Sequence, residues 1–107
     1  MEPLKRVTPA TADVLASLRN SDGPSWGLLI VKEIGRPAGS VYPILERLER
    51  LGWVESAWDD DSERKGPRRR LYSLTCDGAQ ASTAAIAKVR ARAREDRGSA
   101  QTVVTYA

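Results

Sequence analysis

Residues 39–52, Gly-Ser-Val-Tyr-Pro-Ile-Leu-Glu-Arg-Leu-Glu-Arg-Leu-Gly, constrain the fold more than any other stretch of this 107-residue chain. At helical spacing Val41, Ile44, Leu45, Leu48 and Leu51 fall within one stripe of about 120°, so a helix here buries one side and leaves the other open. Its opening turn is small, rich in hydrogen-bonding groups and free of acids, with Ser40 placed to cap it. Pro43 is expected near the helix start, where the N–H that proline lacks has no partner to lose. A helix with a buried stripe and a small, donor-bearing first turn suits the DNA major groove.

The flanking segments supply the rest of a domain. Thr8 before Pro9 is a helix start, and Thr11, Val14, Leu15 and Leu18 repeat at helical spacing to about Arg19. Residues 20–25 read as a turn, with Ser25 available to cap a short helix over Trp26–Ile34 that Gly35 closes. Arg36-Pro37-Ala38-Gly39 then turns the chain into the helix described first. Trp53–Trp58 and Arg68–Leu74 alternate and carry aromatic or β-branched residues, which predicts two strands joined as a hairpin. Thr75 caps a last helix, alanine-rich and basic, which Gly98 is expected to stop near Arg97. The order is that of a winged helix-turn-helix domain with an additional C-terminal helix, mainly α with a small β-hairpin. Residues 1–75 form the winged domain, 76–97 a dimerisation helix, and 98–107 a frayed tail.

Charge is distributed unevenly. Residues 1–63 carry seven basic against eleven acidic side chains, net −4, and residues 64–97 carry ten against three, net +7. That asymmetry suggests a surface facing a polyanion, although an exposed basic helix accounts for part of it. The sequence has no His, no glycine-rich phosphate loop and no metal-spaced ligand set, which argues against an enzyme and gives no reason to expect a cofactor. No apolar run is long enough for a membrane span, and a single cysteine points to a reducing, cytoplasmic setting.

Three segments add a family. Gly39-Ser-Val-Tyr-Pro-Ile-Leu-Glu-Arg-Leu-Glu resembles the Gly-[Ser/Thr]-x-Tyr-Pro-x-Leu-x-x-Leu-Glu signature of PadR-like transcriptional regulators. Gly52-Trp-Val-Glu-Ser-x-Trp58 and Gly66-Pro-Arg-Arg-Arg-Leu-Tyr-Ser-Leu-Thr-x-Asp-Gly78 resemble the strand after it, the second wing strand and the turn into the last helix. The resemblance implies a homodimeric winged-helix repressor, with Ser40 and Tyr42 as DNA contacts and the wing near the backbone or minor groove. It covers roughly residues 26–80 and matches the short branch, which lacks a large helical C-terminal domain. The last helix has no tryptophan, unlike short members with a flat aromatic ligand pore, and Cys76 stands where proline is commoner.

From these readings the DNA-facing set is Arg36, Ser40, Tyr42, Pro43, Arg47, Arg64, Lys65, Arg68 and Arg70. Tyr42 lies at the edge of the apolar stripe, so its ring is equally able to rest on the preceding helix. Arg36 is expected to face no nearby acid and so to meet a phosphate. Glu46 and Glu49 repel phosphates and confine groove contacts to the first two turns. Strand alternation puts Arg68 and Arg70 on one side of the wing and Arg69 on the other. Trp26, Trp53 and Trp58 read as core. Val14, Leu18, Ser82, Ile86, Val89 and Ala93 form thin seams suited to close helix packing, in a dimer or between the first and last helices. Cys76 reads as a plain small residue rather than a redox sensor.

The expected partners are double-stranded DNA, a second copy of the chain and a small-molecule effector of unstated chemistry. A competing reading is a winged helix used for protein–protein contact, with the acidic first half of the chain as the docking face.

Overall fold

The computed structural model describes residues 1–59, 66 and 68–105, with side chains to residue 97. Its elements run α1 (Pro9–Asn20), β1 (Ser25–Trp26), α2 (Gly27–Ile34), α3 (Ala38–Arg50), β2 (Val54–Trp58), β3 (Arg70–Leu74) and α4 (Cys76–Thr105). Four helices and a three-stranded antiparallel sheet of order β1-β3-β2 give the α+β winged-helix architecture.

Local chemistry sets most helix ends. The Thr8 side chain accepts from the Thr11 N–H at 3.1 Å, and Pro9 follows at the first helical position. α2 ends on Gly35 at φ 68, a left-handed conformation that suits glycine. At the end of α3 the Gly52 N–H donates to the Glu49 carbonyl at 3.1 Å and the Trp53 N–H to the Leu48 carbonyl at 2.9 Å. With Gly52 at φ 85 this is a Schellman motif, and it turns the chain straight into β2.

Three expectations are corrected. Ser25 and Trp26 do not open a helix: they pair with Tyr72 and Leu71 as a third strand, and α2 begins at Gly27. Ser40 does not cap α3, because the helix begins two residues earlier behind Pro37. The Pro37 carbonyl accepts from the Ser40 and Val41 N–H groups at 2.9 and 3.1 Å. Pro43 therefore lies in the second turn, where it removes the bond that an N–H there would make to Gly39. Gly39 is exposed, so its carbonyl is open to solvent. The last helix does not stop at Gly98 but continues to Thr105. One glycine costs a helix about 1 kcal/mol, and Ala100 and Gln101 beyond it favour the helical state.

The core lies where α1, α2 and α3 meet the sheet. Val14, Leu15, Ile30, Val41, Leu45, Leu48 and Val54 are essentially inaccessible, with Trp53, Tyr72 and Ile86 around them. Thr75 joins the sheet to α4: its hydroxyl donates to the Gly52 carbonyl at 2.8 Å and accepts from the Gly78 N–H at 3.0 Å. Arg19, at the end of α1, reaches across to the Ala79 carbonyl at 2.7 Å and Ser82 Oγ at 3.1 Å. Together these contacts fix how α4 leaves the domain. Among the described residues no helix is long and apolar enough to cross a membrane.

Candidate nucleic-acid interface

The open side of α3 begins with Ala38, Gly39, Ser40, Tyr42 and Pro43, all exposed, and continues through Glu46, Arg47 and Arg50. Nothing in the helix's first turn is acidic. Its N-terminal backbone N–H groups and the small side chains beside them can approach a phosphate or a base edge closely.

Tyr42 is partly exposed and rests its ring on the preceding helix, one of the two readings open to it. Its side is 36% exposed, yet its ring lies against the first residue of α2. A β-carbon added to Gly27 would stand 2.8 Å from Tyr42 Cε1 and 3.0 Å from its hydroxyl. Gly27 thus provides the shelf on which the partly exposed ring rests.

The wing follows the predicted alternation. The pairs Val54–Leu74, Ser56–Tyr72 and Trp58–Arg70 face each other across β2 and β3. The Arg68 and Arg70 guanidinium carbons lie 5.5 and 5.1 Å from the centre of the Trp58 ring. Arg69, on the opposite side, stacks over Trp26 at 3.9 Å. Trp58 is therefore not core but 48% exposed, a ring that the wing arginines flank. Trp26 is half-buried and only Trp53 joins the interior.

Arg70 is also tied to α3. Its Nη2 lies 3.6 Å from Glu49 Oε2, and Glu49 Oε1 accepts from Ser56 Oγ at 2.9 Å. Arg70 also lies near Tyr72, two residues along the same face of β3. Burial holds the Tyr72 phenol above its ordinary pKa; the charge on Glu49 adds to the rise, and Arg70 opposes it.

The remaining predicted residues are distributed as follows. Arg36 does face an acid: its Nε donates to Asp13 Oδ2 at 2.9 Å, bracing the turn before α3 against α1. Arg47 is exposed on α3. Arg64 and Lys65 lie outside the described residues. Val14, Leu18, Ser82 and Ile86, expected at a dimer seam, are buried within the single chain, since α1 and α4 close on each other. Val89 is half-buried and Ala93 exposed. Beside that closure an open recess of about 370 Å³ is lined by Arg19, Arg90 and Arg94 together with Ala16, Ile86 and Ala87. Sequence reasoning missed the exposed Leu28 and Leu29 on α2. Only the absence of a matching polar face on that short helix hinted at them.

The profile of the PadR-like transcriptional regulator family matches residues 14–84, from the middle of α1 through the wing into α4. This chain belongs to that family. The PadR-like match includes the opening turn of α3, Trp58, and both wing strands, and the family is one of regulators rather than enzymes. Curated proteins offer no significant match to the sequence. Among solved structures, smu.1704 of Streptococcus mutans is 23% identical, with a TM-score of 0.71 over 94% of each chain. The PcaV transcriptional regulator of Streptomyces coelicolor, solved with its natural ligand, is 18% identical, with a TM-score of 0.67 over 95% of this chain and 71% of that one. AbfR, solved in reduced form bound to DNA, is 21% identical, with a TM-score of 0.60 over 92% and 74% of the two chains. At these identities the likeness concerns the fold; the sequence profile carries the family.

Proposed function

We propose that this PadR-like protein is a sequence-specific DNA-binding repressor that acts as a homodimer on a pseudo-palindromic operator. The observation that carries the reading is the acid-free, exposed opening of α3, with Tyr42 propped on Gly27 at its edge. Ser40, Tyr42 and Pro43 meet base edges in the major groove, and Arg47 meets a phosphate. The wing lies against the neighbouring backbone, where Arg64 and Lys65 add cations. Arg36 serves indirectly: paired with Asp13, it fixes the turn that aims α3.

The second copy is held through α4. With Ser82 and Ile86 enclosed by α1, that contact falls on the more distal part of the helix, including Val89 and Ala93. Two α3 helices then sit about one DNA turn apart.

The test is binding of the protein to the DNA upstream of its own gene, against a scrambled duplex, at two salt concentrations. Tyr42→Ala should weaken specific binding at least tenfold and leave scrambled-duplex binding within twofold. Equal losses on both duplexes would remove Tyr42 from base recognition. Absence of binding at low salt would overturn the DNA-binding reading itself.

A further inference from the structure

On the DNA-binding reading, every exposed cation near α3 should strengthen binding, and Arg70 is the one best placed between α3 and the wing. The structure shows it engaged elsewhere. Its guanidinium faces Glu49 of α3 at 3.6 Å and lies over Trp58 at 5.1 Å. Glu49 in turn accepts from Ser56 on the adjacent strand. The carboxylate thus joins the last turn of α3 to both strands of the wing.

Two roles are open to a carboxylate at this point. A bare acid beside phosphates repels them whatever surrounds it. An acid bonded to a cation cancels that cation's charge instead and fixes its direction. The geometry favours the second role, because the Ser56 hydroxyl holds Glu49 and the Trp58 ring holds Arg70 in register.

We propose that Glu49 is a positioning residue that withholds Arg70 from DNA phosphates, keeping the cation as an internal strut between α3 and the wing. Non-specific affinity is thereby reduced by one potential phosphate contact, while the angle of the wing to α3 is maintained. Sequence discrimination gains on both counts, since phosphate contacts add affinity for every sequence alike.

The proposal rests on the DNA-binding reading, and a double-mutant cycle separates the two. Binding to a random-sequence duplex is measured as a function of salt for wild type, Glu49→Gln, Arg70→Gln and the double variant, with helicity checked by circular dichroism. Glutamine retains an acceptor for Ser56 and removes the charge. Glu49→Gln should steepen the log–log salt slope by about 0.9, the value for one more neutralised phosphate. The double variant should return to the wild-type slope, because the pair is neutral in both proteins.

An unchanged slope in Glu49→Gln would overturn the proposal. So would a steepening of equal size in the Arg70→Gln background, which would mean that Glu49 repels phosphates directly. A double variant shallower than wild type by about 0.9 would show that Arg70 already contacts DNA, again overturning it. If wild type binds no duplex at low salt, the DNA-binding reading fails instead.

Discussion

Gly78 has no room for a β-carbon. One built there overlaps the carbonyl of Trp53, which is backbone and has nowhere to go. Helix propensity alone would make Gly78→Ala stabilising by about 1 kcal/mol. Sterics reverse the sign: the variant should lose about 1–3 kcal/mol in urea unfolding. Gly27 offers the contrast, because the atoms a methyl would meet belong to the movable ring of Tyr42. Gly27→Ala should therefore unfold within about 1 kcal/mol of wild type. It should still bind its specific site several-fold more weakly, as measured by gel shift, because the ring is displaced from its shelf. Tyr72 yields a pH dependence. Its raised pKa means that the folded state holds the phenolic proton more tightly than the unfolded one does. The resulting stabilisation is full below the unfolded phenol pKa, near 10, and is lost as pH rises through the folded value. Denaturant midpoints between about pH 9 and pH 11 should fall less for Tyr72→Phe than for wild type.

At the scale of elements, the start of α4 depends on one side chain. Thr75 caps the helix and also ties it to Gly52. Thr75→Ala should cost about 1–2 kcal/mol in chemical unfolding, and Thr75→Ser should restore most of it. This cap was legible in the sequence, as were Thr8-Pro9, the Gly35 stop and the alternation of the wing arginines, because each is decided within a few residues. What escaped the sequence depends on distant partners. β1 is two residues long, too short for any period, and exists because β3 pairs with it from far along the chain. Arg36 looked unpaired because Asp13 is a helix and a half away in sequence. Trp58 looked like core because aromatic residues usually are; its exposure follows from its place opposite Arg70 on the outer part of the wing. The start of α3 was misjudged by two residues because proline's fixed φ, here −61, served as the cap in place of a hydroxyl.

At the scale of the whole molecule, the dimer of the proposed function makes a demand that the single chain can be tested against. Ala93 lies exposed on α4, level with Pro9 at the start of α1. Ala93→Glu should shift the population toward monomer in sedimentation equilibrium without reducing helicity, since glutamate is a good helix former. An unchanged dimer would place the contact elsewhere on the helix. α4 spans 30 residues, or about 45 Å, and its base is held where Thr75 and Gly78 meet the end of α3 and the start of β2. α1 also packs along it, from Arg19 at Ala79 and Ser82 to Pro9 near Ala93. A tilt of about 10° at the base carries the far end through about 8 Å, nearly a quarter of one ~34 Å DNA turn. In the proposed dimer the separation of the two α3 helices therefore depends on how α4 is seated, on α1 and on the carbonyl against which Gly78 rests, away from the proposed groove contacts.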